Sequence, residues 1–324
     1  MDEKAVNIRA LAAIMVVILH INSQYFHDIS SYWPVFAVIG AAMRPCVPLF
    51  LMLSGYLLVG KPVGVITFMK KRVSRLIPPI LFWGGFYVVF ISIVGDAPIS
   101  IISFIRILIE PPMFHLWYLY LIVGVYLTVP ILSGWYVSSS LSDKIFYVSL
   151  WLTCLILGGS YIGVDVINRY YLGQFSTYVF YLLAGALIRD INTRFEFNKN
   201  ICLIFFAVFT GAISALTIVN SAKTGIPSEE YYEYTSPLVA MQSLSIFYYL
   251  LSFDKSSSVT SVISSRSLGI YCVHVSVILC IFPWVKLYIS MPFASYVFSF
   301  TFTVIASLSI CSVIGRIKYI RRVV

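Results

Sequence analysis

Long apolar segments recur along the whole chain, and short polar stretches separate them. Ten of these segments approach the length of about 20 residues that an α-helix needs to cross a bilayer. The sixth and eighth are the shortest of the set, which runs 6–25, 35–59, 76–95, 114–136, 145–163, 173–188, 201–220, 237–253, 268–286 and 293–314. The pattern predicts an all-α, polytopic integral membrane bundle of about ten transmembrane helices.

A further apolar stretch, 98–109, is too short to cross a bilayer. Pro98 precedes it, and Pro111 and Pro112 follow it. Such a segment is expected to lie in the membrane interface or to re-enter from one side.

Basic residues are distributed unequally between alternate loops once Arg9 and Arg44, which lie inside predicted spans, are set aside. Four lie on one side, namely Arg106, Arg169, Lys223 and Lys286. Sixteen lie on the other: Lys4, Lys61, Lys70, Lys71, Arg72, Arg75, Lys144, Arg189, Arg194, Lys199, Lys255, Arg266, Arg316, Lys318, Arg321 and Arg322. Because cytoplasmic loops carry the excess of lysine and arginine, both termini are predicted to be cytoplasmic.

Composition excludes an ordinary soluble protein. Only 11% of the 324 residues are charged and 60% are hydrophobic, whereas soluble domains carry about 25% charged residues. The net charge of +9 does not indicate a nucleic-acid partner, because the basic residues sit in short loops between apolar segments. We expect a multi-pass protein of the bacterial inner membrane, with residues 1–324 as a single domain, an uncleaved first helix and no appended soluble domain.

The six cysteines all fall in apolar segments, and none forms a CxxC pair. This pattern argues against a disulfide framework or a zinc site, and no metal site is predicted.

Ionisable residues inside a predicted span are costly and are therefore functional candidates. The spans contain no Asp or Glu, which argues against a transporter built on carboxylate relays. Arg9 and His20 lie eleven residues apart in the first span. On a helix this spacing points both side chains to one face, within about 20°, and separates them by about 16 Å along the axis. The alternative interpretation is a snorkelling arginine and a hydrogen-bonded core histidine.

Arg44 lies inside the second span, followed by Pro45 and Pro48. The prolines interrupt backbone hydrogen bonding, which a membrane protein tolerates only in protein-lined or wet places. An arginine there is expected to face an anion, such as a phosphate, a carboxylate or a developing oxyanion.

Arg72 and Arg75 open the third span, ahead of Pro78 and Pro79. Residues at i and i+3 are neighbours on a helix surface, and arginine forks bind phosphate bidentately. A phosphate clamp and ordinary cytoplasmic charge both explain the pair.

Two further histidines and one loop have two interpretations each. His115 begins the fourth span and His274 lies within the ninth, where an interfacial anchor and a helix–helix hydrogen bond are the plain alternatives to a functional role. The loop 222–236 carries three glutamates among three tyrosines. It is either a solvated acidic loop or a surface that contacts a sugar.

Five motifs, in this order, resemble the acyltransferase-3 family of integral-membrane acyltransferases. They are the Arg-x10-His of Arg9 and His20, the Val-Pro-Leu-Phe and Ser-Gly-Tyr-Leu-Leu of residues 47–58, Arg72-x-x-Arg75 followed by prolines, His115-Leu116-Trp117-Tyr118-Leu119, and Tyr271-x-x-His274. The resemblance covers most of the chain and implies about ten core helices. It also implies an acyl-CoA donor, acetyl by default, and a glycan or lipid-linked sugar as acceptor.

The resemblance and the helix geometry together suggest a division of roles. Arg72 and Arg75 would hold the phosphates of CoA, with Arg9 near the entrance, and His20 would meet the thioester as general base or as acyl-carrying nucleophile. Arg44 would stabilise negative charge, and the expected substrate-binding or supporting residues are Glu110, His115, Trp117 and His274. Acyl-CoA would be a co-substrate, with no permanently bound cofactor.

The competing hypotheses are a carrier or flippase for lipid-linked sugars or small metabolites, and a structural scaffold. Neither accounts for the Arg9–His20 and Arg72–Arg75 pairs. Some members of the family append a periplasmic hydrolase-like domain, which we do not expect in this protein, so the need for a separate periplasmic partner stays open.

Overall fold

The computed structural model describes residues 2–27, 32–61, 64–95, 99–159, 161–195 and 198–324. Pro98, expected to precede the short apolar stretch, lies outside them. The described chain forms α1 Glu3–Phe26, α2 Trp33–Met43, α3 Cys46–Leu58, α4 Val65–Val94, α5 Ile101–Arg106, α6 Trp117–Ser138, α7 Leu141–Gly158, α8 Tyr161–Arg169, α9 Val179–Asn192, α10 Lys199–Thr224, α11 Pro237–Leu250, α12 Ser258–Ser265, α13 Ser267–Tyr288 and α14 Pro292–Arg316. Short 3-10 turns occur at Phe114–Leu116, Leu172–Ser176, Glu230–Tyr232 and Arg321–Val323.

Eight helical segments of the described chain are long and apolar enough to cross a membrane. They are α1, α2 with α3, α4, α6 with the preceding turn, α7, α10, α13 and α14, and each overlaps one predicted span. The remaining predicted spans correspond to α9 and α11, which have 14 residues each. At about 1.5 Å per residue each is about 21 Å long, short of the roughly 30 Å hydrocarbon core. The all-α, multi-span prediction is confirmed, and the count of ten stays a prediction.

The candidate spans differ in how much of each is buried within the protein. Burial reaches 67% in α1, 61% in α2 with α3 and 61% in α13, but only 22–33% in the other five. Exposed apolar side chains such as Ile204 and Val297 are typical of lipid-facing positions. The helices that carry Arg9, His20, Arg44 and His274 are therefore those best shielded from lipid.

The chain divides into two compact units, which we describe separately. The first comprises Met1–Pro62 and Ile131–Ser261, and the second comprises Val63–Pro130 and Val262–Val324. That residues 1–324 act as one domain stays a prediction.

In the first unit, α3 and α9 cross with their backbones in contact. A Cβ added at Gly55 would lie 1.9 Å from the carbonyl oxygen of Leu182, and one added at Gly185 would lie 2.0 Å from that of Met52. Small residues allow such approach, which is a common source of packing energy between membrane helices. These reciprocal glycines set the position of α9.

Arg189 caps the carboxyl end of α3. Its Nη1 donates to the carbonyls of Tyr56 at 2.7 Å and Val59 at 2.9 Å. The last carbonyls of a helix lack intrahelical donors, so a side-chain donor satisfies them. Asp190 pairs with this arginine at 3.2 Å and also accepts from the hydroxyl of Tyr136 at 2.7 Å.

The amino end of α1 is tied to the segment that follows α11. Asp2 caps the helix by accepting from the backbone N–H of Ala5. Lys4 pairs with Asp254 at 3.0 Å, and the Asn7 side chain donates to the carbonyl of Lys255 at 2.9 Å. The start of the helix that carries Arg9 and His20 is therefore held by several polar contacts.

The second unit is built around α4, α13 and α14. Along α14, every fourth residue is small and buried: Ser295, Ser299, Thr303, Ser307 and Cys311. After α14 the chain turns back, and the indole N–H of Trp83 in α4 donates to the carbonyl of Val323 at 2.9 Å. The end of the described chain is thereby fixed to this unit.

Membrane orientation can be tested with reporter fusions. Because sixteen basic residues lie on one predicted side and four on the other, a reporter placed after Val324 should report a cytoplasmic location and one near Glu230 a periplasmic location. The measurement is alkaline phosphatase activity against fluorescent-protein signal at each site. A periplasmic signal after Val324 would refute the even number of spans.

Candidate functional site

Arg9 and His20 lie on one uninterrupted helix. α1 runs from Glu3 to Phe26 and contains both, so the helical spacing assumed from the sequence holds. Both side chains are half-buried, in a helix whose other faces are packed within the first unit. The prediction that Arg9 and His20 share one face follows from this continuity. After eleven residues of unbroken helix, a side chain points within about 20° of the direction of the first.

The imidazole of His20 has a defined orientation. Its Nδ1 lies 3.0 Å from the carbonyl oxygen of Val16. A carbonyl can only accept a hydrogen bond, so Nδ1 carries the proton, and in the neutral ring the lone pair is on Nε2. This tautomer suits a residue whose Nε2 accepts a proton.

The second predicted span is broken at Arg44 and Pro45, which separate α2 from α3. Pro45 has no N–H, so it cannot donate to the carbonyl of Ala41 as a helical residue would. That carbonyl accepts instead from the backbone N–H of Arg44 at 3.3 Å and from the side-chain amide of Gln242 in α11 at 3.1 Å. The carbonyl left without its helical donor is therefore hydrogen-bonded within the protein, as expected for a helix break at membrane depth.

Arg44 packs on an aromatic ring. Its guanidinium carbon lies 4.0 Å from the centroid of Tyr232, and its Nε is buried with no hydrogen-bond partner. Among the described residues, no acidic side chain forms an ion pair with it. Of the three anions expected beside Arg44, a protein carboxylate is therefore not found among the described residues, and a cation–π contact holds the arginine.

Tyr232 is itself held in place as a neutral phenol. Burial raises its pKa to about 12, although the nearby Arg44 acts in the opposite direction. Its hydroxyl donates to the carbonyl of Ala37 in α2 at 2.7 Å. The neighbouring Tyr234 approaches the Sγ of Cys46 at 3.9 Å, and its carbonyl accepts from Tyr181 at 2.6 Å. The segment after α10 therefore covers the break between α2 and α3.

The same segment lines a cavity of about 470 Å³ in the first unit. The polar lining residues are Ser176, Glu230, Tyr231, Glu233, Thr235 and Ser236, and no lysine or arginine of the described chain lines it. Glu230 accepts from the side-chain amide of Asn220 at 2.9 Å. The carboxylates are exposed, as expected for a solvated loop, and they also border this open cavity.

Arg72 and Arg75 occur two turns inside α4, because this helix begins at Val65 rather than near the start of the apolar span. The guanidinium carbon of Arg72 lies 5.4 Å from the ring of Phe68 and 5.6 Å from that of Tyr126, and its Nε is buried without a hydrogen-bond partner. Arg75 is exposed. One arginine is thus positioned by aromatic rings, and the other extends from the surface of the same unit.

His115 and His274 come together in the second unit. Their ring centroids lie 5.3 Å apart, and the two residues are 1% and 0% exposed. The Nε2 of His115 donates to the carbonyl of Cys272 at 3.2 Å, and the Nδ1 of His274 donates to that of Ile270 at 3.0 Å. Tyr87 also donates to the carbonyl of Cys272, at 2.8 Å.

This buried arrangement connects α4, the turn before α6 and α13. Tyr271 adds a hydrogen bond to the carbonyl of His115. Buried polar and ring contacts of this kind fix the relative position of helices. The structure therefore gives both histidines a packing and hydrogen-bonding role.

Glu110 and Trp117 lie nearer the surface of the second unit. Glu110 is exposed and pairs with Arg106 at 3.7 Å, and both line a cavity of about 270 Å³. Trp117 is half-buried at the start of α6. Neither the ion pair of Glu110 nor the position of Trp117 reveals a substrate role.

The described residues contain no group of three or more His, Cys, Asp or Glu that could hold a metal ion. Within the first unit, the structure adds Tyr232 and Gln242 to the predicted Arg44. No local signal could have revealed them, because both are far in sequence from the break at Arg44, and only folding brings Tyr232 to Arg44 and Gln242 to Ala41.

Comparison with known proteins agrees with the motifs. A family sequence model described as an acyltransferase domain matches residues 5–312. No curated protein and no solved structure matches the chain. The matched region covers nearly the whole chain, and the chain therefore belongs to the acyltransferase-3 family.

Proposed function

We propose that this protein is an O-acyltransferase of the bacterial inner membrane. It transfers an acyl group, acetyl by default, from cytoplasmic acyl-CoA to a hydroxyl of a cell-surface polysaccharide or a lipid-linked sugar. Family membership and the apolar helices support the coarser statement, a multi-pass membrane acyltransferase. The donor, the acceptor and the residue roles are the proposal.

The observation that carries the proposal is the setting of His20. It lies on the most buried candidate span, and its Nδ1–H is committed to Val16, which places the lone pair on Nε2. Nε2 would take the proton of the acceptor hydroxyl as that oxygen attacks the thioester carbonyl, and the CoA thiolate would leave. The alternative, attack by Nε2 itself to form an acyl-histidine, uses the same nitrogen.

Two arginines of the first unit support charge stabilisation. Arg9 occupies the same face of α1 as His20, towards the end predicted to be cytoplasmic. Arg44 has a buried Nε with no hydrogen-bond partner and no acidic partner among the described residues, so its donors suit an anion. Fixed donors are most effective where negative charge develops during the reaction.

The cavity bordered by Glu230, Tyr231 and Glu233 supports a sugar acceptor. Carboxylates accept hydrogen bonds from sugar hydroxyls, and the serine and threonine hydroxyls in the lining can donate or accept. The lining has carboxylates but no basic side chain, which favours an uncharged or amino sugar over an anionic one.

The proposal is tested by giving labelled acetyl-CoA to membranes that contain the protein and following the label into glycan and lipid-linked sugar. Labelled product that requires His20 would support the transferase. A carrier or flippase would move its cargo without forming a labelled ester, and that outcome would refute the proposed activity.

Donor binding is expected to depend on the two arginines of α4. Arg72→Ala and Arg75→Ala should each weaken acyl-CoA binding by about tenfold or more, because a charge-assisted hydrogen bond contributes about 1.5–3 kcal/mol. Lys61→Ala and Lys70→Ala are the controls, since both lysines are exposed and act only as point charges. Binding is measured by titration of the purified protein with acetyl-CoA.

Arg72 also packs against Phe68 and Tyr126, so its loss could affect folding. Arg72→Lys retains the charge without the fork and serves as the second variant. Equal weakening by all four alanine substitutions would mean that the segment only sets topology.

A further inference from the structure

A third cavity, of about 420 Å³, lies in the second unit where α13 begins and α14 ends. Three arginines line it, Arg266, Arg316 and Arg321, together with the hydroxyls of Ser265 and Ser312. Among the described residues, no side chain that lines it is acidic, and the backbone carboxylate of Val324 forms no ion pair with these arginines. The proposed acyl transfer assigns no role to these arginines.

The folded-back end of the described chain builds one wall of this cavity. Val323 is 4% exposed, and its carbonyl accepts from the indole of Trp83. A Cβ added at Gly269 would lie 2.9 Å from Val324, so the tail packs closely against α13. Arg321, in the turn between these contacts and α14, is therefore presented to the same space as Arg266 and Arg316.

The charges in this cavity are not balanced by the described protein. No acidic side chain of the described residues forms an ion pair with any of the three arginines. Arg316 lies in the last turn of α14, where a cation is favourable. Arg266, however, is the residue that precedes α13, at the positive end of that helix dipole. Arg316 and Arg321 are exposed, and an anion held among the three guanidinium groups and the amino terminus of α13 would offset their mutual repulsion.

We propose that this cavity binds a phosphate group. Arginine forks pair bidentately with phosphate, so the three arginines around this cavity supply the donors that a phosphate needs. The volume admits a phosphate with part of its substituent. The phosphate comes either from an anionic phospholipid headgroup, which basic pockets between membrane helices bind on the cytoplasmic side, or from CoA. The predicted topology places all three arginines on that side.

The experiment titrates the purified full-length protein with three probes: short-chain phosphatidylglycerol, short-chain phosphatidylcholine and unacylated CoA. Arg321→Gln is compared with Arg322→Gln, the matched control, because Arg322 is exposed and does not line the cavity. Loss of a charged, bidentate contact should weaken phosphate binding by about tenfold to a hundredfold. Arg322→Gln should leave it unchanged.

The pattern of loss identifies the source of the phosphate. Phosphatidylglycerol binding that is weaker in Arg321→Gln but not in Arg322→Gln supports a lipid site. CoA binding that is weaker in Arg321→Gln but not in Arg322→Gln supports a donor site. If neither ligand distinguishes Arg321→Gln from Arg322→Gln, or if the wild type binds neither, the proposal is overturned.

Arg321→Lys separates a built site from general attraction. It retains the positive charge and is expected to fold, but it lacks the fork, so it should bind more weakly than the wild type. Binding as tight as that of the wild type would overturn the site. None of these measurements needs acyl transfer, so the phosphatidylglycerol result is independent of the proposed activity, and only the donor interpretation of the CoA result rests on it.

Discussion

Replacing His20 by alanine is expected to leave a folded, CoA-binding membrane protein that transfers no acyl group. Proton transfer by a positioned general base contributes about 10²–10⁴-fold in rate, so the loss should bring turnover below detection. Measured as labelled acetyl transfer per folded molecule, this is the largest effect on activity that the structure predicts.

The structural cost of this substitution should be small. The hydrogen bond from Nδ1 to Val16 lies within one turn of α1, and the Val16 carbonyl keeps its regular helical partner when the ring is removed. Alanine is also the best helix former. The amount of folded protein in the membrane should therefore stay close to that of the wild type.

His274→Ala is the matched comparison. His274 is fully buried beside His115, so its loss leaves a cavity and removes a ring contact. A large-to-small change in a core costs about 2–5 kcal/mol. We expect less folded protein, with residual transfer that scales with the folded amount.

His20→Asn distinguishes a chemical role from a positioning role. Its side-chain amide can donate to the Val16 carbonyl as Nδ1–H does, but it provides no base. It should be as inactive as the alanine variant. Near-wild-type transfer per folded molecule by either variant would refute the mechanism, while membership of the family would stand.

Gly55→Ala and Gly185→Ala are expected to cause the largest losses of folded protein. Each added methyl would lie within about 2 Å of a backbone carbonyl oxygen on the other helix. A backbone atom cannot rotate away as a side chain can, so α3 and α9 would have to separate. Overpacking typically costs about 1–3 kcal/mol, and more where nothing can yield.

The control for this pair is Gly124→Ala. Gly124 lies in α6, and a Cβ added there would meet nothing within 4 Å. Because alanine is favoured over glycine in a helix by about 1 kcal/mol, this change should be neutral or stabilising. The measurement is the folded fraction after detergent extraction, followed by thermal unfolding. Equal folded yields for Gly55→Ala and Gly124→Ala would contradict the close crossing.

Much of the fold could be predicted because its signals are local. Apolar runs predicted the helices, and eight of the ten predicted spans coincide with helices that are long enough to cross a membrane. The other two predicted spans correspond to α9 and α11, which are shorter than their apolar runs because the structure places part of each run outside the α-helix. A window of hydrophobicity does not reveal where a helix ends; hydrogen bonding decides that.

The candidate site was predictable only in part, for a similar reason. The shared face of Arg9 and His20 follows from helical periodicity, and the break at Arg44 follows from Pro45, so both could be predicted. The contact between Arg44 and Tyr232, and the repair of the Ala41 carbonyl by Gln242, join residues about 190–200 apart in the chain. Long-range pairs of this kind leave no local pattern.

The sequence by itself determined the class of molecule, the positions of its apolar helices and the family motifs. The length of an apolar run, the helical period and the missing N–H of proline each take effect within one segment, so they can be read from that segment alone. Only the tertiary structure decided how closely α3 and α9 approach, which aromatic ring holds Arg44, and that Arg266, Arg316 and Arg321 share one cavity. These features depend on packing between distant segments, where shape and charge are set by the fold as a whole and not by neighbours in the chain.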